Sequence, residues 1–236
     1  MDVQGNSKAY LWICVGVIAV AVAVIVIVNT RMETYDNNQN FTKNTELDPE
    51  IQEIDNFLSH EECDKLIISA EGRLKPSEVY AGNTNIVDKT RESMQAWMKD
   101  DDNEISNKIA KLTSEIAKLP MENSEDLQVV NYTKGGYFKP HYDACEGSEE
   151  FCKLMNKSAG PRYLTFLIYL NDDYKGGETH FPNLNKTVKP KKGKLVIFKS
   201  TDSNGVILEK SLHGGNPVTK GKKWICNKWY HFNKYE

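Results

Sequence analysis

Histidine is scarce in this chain, with five in 236 residues, and two of the five sit where chemistry could use them. His141-Tyr-Asp143 places two ligand-type side chains one residue apart, so both point the same way on an extended backbone. His213 lies well downstream beside Gly214-Gly215, among strand-like segments, and can supply a third ligand. Two imidazoles and one carboxylate on one face of a metal make the facial triad of non-haem Fe(II) oxygenases, which leaves other coordination positions open. By composition alone, the same residues also suit exposed turns. Charge favours the sharper reading. Lys223 opens the strand-like Lys223-Trp-Ile-Cys-Asn-Lys-Trp-Tyr. Fe(II) with one carboxylate is a monocation, and a chelating dianionic 2-oxo acid makes it a monoanion. A lysine ammonium on the far carboxylate then restores neutrality, which a partly buried site requires. Thr179 and Tyr132 can donate hydroxyls to the same carboxylate.

Other candidates are weaker. Glu178-Thr-His180 is a second ligand-like pair, but its alternation equally suits a strand with polar residues facing out. His60 reads as a solvated residue in the first turn of a helix. The five cysteines show neither a CxxC pair nor Cys/His zinc spacing. Cys145 and Cys152 enclose a short polar loop over 146–151 and could bridge in an oxidising compartment, although spacing leaves the pairing open.

The elements that must position these residues change type along the chain. Ser59-His-Glu-Glu62 is a capping-box pattern, and Cys63, Leu66 and Ile67 give an apolar face to a helix over 60–71. Ile105, Ile109, Leu112, Ile116 and Leu119 recur every three or four residues, which predicts a second helix within 103–119, with Pro120 marking its end. After residue 125 the pattern turns to strands: Leu127–Tyr132, Arg162–Leu170, Glu178–Phe181, Lys194–Lys199, Val206–Leu208 and Trp224–Phe232. Helices followed by strands predict an α+β, mainly β, domain with helices on one face of a sandwich or barrel.

The chain also carries an anchor-like start. Residues 1–8 form a short tail, and 9–28 are almost wholly apolar. At about 1.5 Å per residue that run makes a helix of roughly 30 Å, the thickness of a bilayer core. It is longer than a cleaved signal's apolar region and reads as a transmembrane signal anchor. Residues 29–50 are a polar linker, and 51–236 are the folded domain. A single-pass protein with a lumenal domain, of endoplasmic-reticulum type or otherwise extracytoplasmic, is expected. Sequons at Asn40, Asn131, Asn156 and Asn185 would then be candidate glycosylation sites, Asn40 the most plausible and Asn131, in a strand, the least. A net charge of −3 lacks the strong basic bias of a dedicated nucleic-acid binder.

From about Ile51 to Asn233 the sequence resembles the prolyl 4-hydroxylase family. Asn56-Phe-Leu-Ser-His-Glu-Glu-Cys-Asp64 is similar to its N-terminal helix entry, and Arg91-Glu-Ser93 with Ala96-Trp97 to its arginine–serine substrate-loop segment. Tyr132, Gly136, Tyr137, His141 and Asp143 match its Y…G..Y…HxD motif. Arg162-Tyr-Leu-Thr165, Tyr169-Leu170 and Gly176-Gly-Glu-Thr179 match its central strands. His213, Pro217-Val218, Gly221, Lys223-Trp224 and Asn227-Lys-Trp229 match its C-terminal pattern. Lys139-Pro140 departs from the Glu-Pro that many relatives carry before the first histidine. The resemblance implies a double-stranded β-helix (jelly roll) binding Fe(II) through His141, Asp143 and His213. It implies 2-oxoglutarate held by Lys223 with Tyr132 and Thr179, supporting roles for Arg162, Trp229 and His231, and ascorbate as reductant. The implied reaction hydroxylates peptidyl proline at C4. Asp143 favours hydroxylation over halogenation, and lysine at 223 favours prolyl over lysyl hydroxylases. The competing expectations are an oxygenase with another substrate and a non-catalytic jelly roll that only binds peptide.

Overall fold

Side chains alternate across a strand, and here that alternation separates two layers of core. The computed structural model describes residues 51–81 and 84–235. The expected tail, anchor and linker over 1–50 lie outside the described residues, as does Asn40. Among the described residues, no helix is long and apolar enough to cross a membrane.

The larger sheet has seven strands in the order β1 (Gln52–Ile54), β13 (Leu195–Lys199), β9 (Arg162–Tyr169), β16 (Lys223–His231), β7 (Leu127–Tyr132), β6 (Met94–Met98) and β2 (Lys75–Pro76). The smaller has five: β12 (Lys186–Val188), β11 (Thr179–Phe181), β14 (His213–Gly215), β8 (Tyr137–His141) and β5 (Arg91–Glu92). Every pairing within them is antiparallel. Two short ladders complete the set, β3 (Val79–Ala81) with β4 (Thr84–Ile86) and β10 (Lys175–Gly176) with β15 (Val218–Lys220).

One core cluster joins the two sheets: Val130, Leu167, Val196, Phe198 and Ile225 meet Phe181 and Val188, with Val218 of β15 packed among them. The other cluster lies on the far face of the larger sheet, where Val129, Leu164, Phe166, Ile168, Ile197, Cys226 and Tyr230 meet the helices. Those helices are α1 (His60–Glu71), which buries Cys63, Leu66 and Ala70, and α2 (Glu104–Ala117), which buries Ile105, Ile109 and Ala110. The result is a jelly-roll-like sandwich backed by helices on one side.

Local chemistry sets the helix ends. Ser59 accepts from the Glu62 N–H, and the Glu62 carboxylate accepts from the Ser59 N–H, completing the expected capping box. Asn103 caps α2 by accepting from Ile105 and Ser106 N–H. α2 stops at Ala117, short of the expected 119, because Lys118 turns left-handed at φ 55°. The residue before Pro120 avoids the helical region, so the turn must close upstream.

The structure corrects two other expectations. Val206–Leu208 is no strand: Asp202 Oδ1 accepts from Asn204 and Val206 N–H and winds the segment into a turn, with only an isolated bridge between Thr201 and Ile207. The stretch read as a polar loop over 146–151 runs into a third helix, α3 (Glu149–Asn156), and Cys145 and Cys152 are bridged. Strand β8 carries no strand signal in the sequence because Lys139-Pro140 breaks its apolar alternation, and β1–β6 and β12 carry little because each is short or mixed in composition.

Ile109 is fully buried between α2 and the sheet. Ile109→Ala is expected to cost about 2–5 kcal/mol, read as a lowered urea midpoint with unchanged slope.

Candidate active site

The β8–β14 ladder sets His213 directly opposite His141. Gly214 permits this close approach, since a Cβ there would come within 2.9 Å of the Phe138 carbonyl oxygen. The imidazole centroids are 4.5 Å apart. Asp143, just beyond β8, turns its carboxylate between them, with Oδ1 3.7 Å from His141 Nε2 and Oδ2 3.8 Å from His213 Nε2. The ligand atoms of His141, Asp143 and His213 all lie within 4.8 Å of one another, and among the described residues they are the one such group able to hold a metal ion.

Each ligand is oriented from behind. His141 Nδ1 bonds the Lys139 carbonyl at 2.8 Å, and His213 Nδ1 bonds the Ser211 carbonyl at 2.9 Å. Both rings therefore protonate Nδ1 and turn a bare Nε2 inward, the usual arrangement behind metal-bound histidine. Thr165 donates to Asp143 Oδ2 at 2.7 Å, leaving Oδ1 the freer oxygen. Burial works to raise the Asp143 pKa, but His213, His141 and Arg162 hold the carboxyl well below the usual range. Burial pushes His213 down to about 4, against the pull of Asp143. The pair thus presents a carboxylate and a neutral imidazole at pH 7, the forms that bind a metal.

Lys223 is the most telling buried charge. It is 2% exposed, and its Nζ lies 5.0 Å from the centroid of the Tyr132 ring and 5.8 Å from that of Tyr169. No described carboxylate pairs with it, and burial lowers its pKa to about 7, only partly offset by Glu178. Lys223 faces Tyr132 across the β16–β7 ladder. Thr179 Oγ1 accepts from the Tyr169 hydroxyl at 2.6 Å, which leaves the Thr179 proton free to point elsewhere. Gly177, at φ 69°, makes room for the lysine stem, because a Cβ there would come within 3.2 Å of Lys223 Cδ. Lys223, Tyr132 and Thr179 line the same cleft as the triad, a cavity of about 1190 Å³. An ammonium without an anion, beside hydroxyl donors and a three-ligand metal set, fits a small dianion chelating the ion.

Arg162, Trp229 and His231 also line this cleft, assembled around a residue the sequence did not single out. Glu125, 4% exposed, accepts from Arg162 Nε and from Nη2 at 2.9 Å, and contacts His231 Nε2 at 3.1 Å. The Arg162 guanidinium lies 3.8 Å from the Trp229 ring centroid, and its Nη1 reaches the Asp143 carbonyl oxygen at 3.4 Å. Burial would raise the Glu125 pKa, yet Arg162 and His231 bring it down to about 2. In sequence Glu125 stands in Ser124-Glu-Asp126, which is indistinguishable from a solvated turn. Gln128 also lines the cleft, its side chain bonded to Gln95 and Asn227, and a polar residue interrupting an apolar strand is the sequence signal for it. Arg91, part of the arginine–serine segment, is buried with its Nε donating to Ser93 Oγ at 3.1 Å and its guanidinium 4.8 Å from the Phe138 ring. His180 stays out of the triad and meets Thr187 Oγ1 at 3.0 Å; His60 is exposed at the start of α1.

Glu125→Gln leaves the Arg162 cation buried without its counter-charge, expected to cost about 3–5 kcal/mol at pH 7. Because the folded pKa is depressed to about 2 from an ordinary value of 4.5, this contribution is present above pH 4.5 and fades as the pH falls towards 2. Urea unfolding of both proteins across that range should show the two converging in acid.

Residues 127–231 match the 2OG-Fe(II) oxygenase superfamily. A protein of Acanthamoeba polyphaga mimivirus, provisionally named a prolyl 4-hydroxylase, is 36% identical over 183 residues, 77% of this chain and 74% of its own. Prolyl 4-hydroxylase 5 of Arabidopsis thaliana is 34% identical over 202 residues, 77% of this chain and 68% of its own. Among solved structures, the viral collagen prolyl hydroxylase of Paramecium Bursaria Chlorella virus-1 in complex with 2OG aligns with a TM-score of 0.62 and 34% identity, covering 76% of this chain and 94% of that one. This chain belongs to the prolyl 4-hydroxylase family of 2OG-Fe(II) oxygenases.

Proposed function

We propose that the chain hydroxylates peptidyl proline at C4, with Fe(II) held by His141, Asp143 and His213 and 2-oxoglutarate held at its far carboxylate by Lys223, Tyr132 and Thr179. The observation that carries this reading is one cleft lined by both the three-ligand set and an anionless buried ammonium. Bound iron and 2-oxoglutarate supply the O2-dependent oxidation, with succinate and CO2 as co-products and ascorbate keeping the metal reduced.

The chain's own residues then have separable tasks. Thr165 and the two backbone carbonyls fix the ligand orientations. Lys223 neutralises the dianion in a site too buried for water to do so. The acceptor peptide meets the Arg162–Trp229 wall. Trp229 Nε1 is a buried donor with no hydrogen-bond partner among the described residues, suited to a peptide carbonyl, and the ring's face is partly covered by Arg162. Glu125 holds Arg162 and His231 in place without itself offering a free oxygen.

For the region outside the described residues, we infer that 9–28 anchors the chain in a membrane with the oxygenase domain on the lumenal or extracytoplasmic side. Apolar length supports this, and so does the Cys145–Cys152 bridge, since disulfides persist mainly in oxidising compartments. Of the described sequons, Asn185 is exposed and remains a candidate for glycosylation, while Asn131 is buried and donates to the Lys223 carbonyl at 3.3 Å, so it is excluded as an acceptor.

The deciding assay incubates the protein with Fe(II), 2-oxoglutarate, ascorbate and a panel of proline-containing peptides. Peptide-dependent succinate and one added oxygen on proline, located by fragmentation mass spectrometry, are expected; oxygen on another residue or none would overturn the substrate assignment. His141→Ala and Asp143→Ala should each lower turnover by about a hundredfold or more and weaken Fe(II) binding. Lys223 imposes a pH signature. Below about pH 7 its ammonium is already present in the free site, whereas above it the dianion must draw a proton in. The 2-oxoglutarate Kd should therefore rise with pH above 7, by up to about tenfold per unit, in calorimetric titrations of Mn(II)-loaded protein. Lys223→Ala should weaken binding at pH 6.5 and flatten this rise.

A further inference from the structure

The connection from β8 to β9 leaves the sandwich just after one candidate metal ligand, Asp143, and returns at Arg162, so both of its ends carry site residues. Between them it builds a cap over the cleft from α3, to which Phe151 and Leu154 contribute lining side chains. Leu154 is 56% exposed, an apolar residue left at the mouth of the cavity. Phe151 folds back on Gly147, where even a Cβ would come within 2.5 Å of its ring. The far end of the connection is tied to the body: the Asn233 N–H donates to the Ala159 carbonyl at 3.2 Å, and His231 Nδ1 to the Gly160 carbonyl at 2.7 Å. The near end has a covalent tie. Cys152, in the first turn of α3, is bridged to Cys145, two residues beyond Asp143.

We propose that the Cys145–Cys152 disulfide is a positioning device for the acceptor peptide, holding α3 as a wall of the cleft, and that its reduction opens that wall. The proposal rests on the hydroxylase reading for its activity readouts, but its structural part does not. A soluble dithiol gives two electrons and two protons to the bridge, producing two thiols, and closes to its own disulfide. The first turn of α3 is then released from the chain beside Asp143. An eight-residue helix is too short to persist on its own propensity, so it loses order when the tie is cut. Asp143 keeps its support, because Thr165 and Arg162 reach it from β9 rather than from the cap. Metal and 2-oxoglutarate binding should therefore survive while peptide binding weakens. The two other described cysteines, Cys63 and Cys226, are already free thiols buried in the core, so among the described residues a soluble reductant acts on this bridge alone.

Two measurements on the full-length protein test this. Amide hydrogen exchange of the oxidised, dithiol-treated and C145S/C152S proteins needs no substrate. Exchange over residues 149–156 should quicken by about tenfold or more on loss of the bridge, with β8 and β9 unchanged. Equal exchange in all three forms would overturn the proposal. Steady-state kinetics then reads function. The peptide KM should rise about tenfold, while kcat, peptide-independent 2-oxoglutarate turnover and the 2-oxoglutarate KM stay within about twofold. A KM unchanged by reduction overturns the positioning role, and so does a joint fall of metal binding and peptide-independent turnover, which would mark a merely structural bridge. If the oxidised protein hydroxylated no proline peptide, the substrate reading alone would fail, and the exchange result would still decide whether the bridge holds the cap.

Discussion

The site depends on one cross-strand register. His213 can face His141 only if β14 lies against β8 in the observed alignment, and a slip of one residue would turn its imidazole to the opposite side of the sheet. Gly214 permits the close approach, and Phe181, Phe198 and Phe138 enclose the two rings at centroid distances of 5.5, 4.7 and 3.6 Å. The smaller sheet thus contributes ligands through its pairing, and the larger sheet contributes the residues that tune them. Thr165 on β9 reaches Asp143, and Lys223 on β16 provides the cation at the other end of the cleft.

The second constraint is charge. A sandwich interior does not tolerate isolated ions, yet this one encloses a carboxylate at Asp143 and cations at Arg91, Arg162 and Lys223. Arg162 is matched within the protein by Glu125, so that pair closes its charge without a ligand. His213, His141 and Arg162 together hold the Asp143 carboxyl down, whereas Lys223 has no ion-pair partner among the described residues and burial drives it down to about 7, only partly offset by Glu178. In the proposed reaction their compensation would come with the ligands, a dication for one and a dianion for the other. Binding energy there is drawn partly from relieving a folded state that holds incomplete charge.

Much of this was legible in the sequence, because periodicity reports burial. The helix over 60–71 was readable to the residue from its capping box, and the core strands β7, β9, β13 and β16 from their β-branched and aromatic runs. The metal set was legible because HxD spacing encodes a shared face, and Lys223 because charge balance demands a cation. Glu125 was not, since nothing local distinguishes a carboxylate that folds inward from one in a polar turn. β8 and β14 were hidden for a related reason: strands whose residues serve a site carry glycine, proline and charge in place of apolar alternation. The stretch after Cys145 concealed a helix because an eight-residue element spans only about two turns, too few for its apolar spacing to show as a repeat.

The division of labour along β16 explains why the helices are needed at all. All nine of its residues are buried, but they are buried for different purposes. Trp224, Cys226 and Tyr230 face the helix-backed core, where Tyr230 also donates to the Ala110 carbonyl of α2 at 3.1 Å. Lys223, Asn227, Trp229 and His231 face the cleft. Placing polar and charged side chains inside a sandwich removes much of the apolar area that would normally bind its two sheets together. The helices restore that area on the opposite face of the same strand, so the strand stays rigid while its inner face is given over to chemistry. A sandwich of the same strands without α1 and α2 would have to choose between a full core and an open cleft.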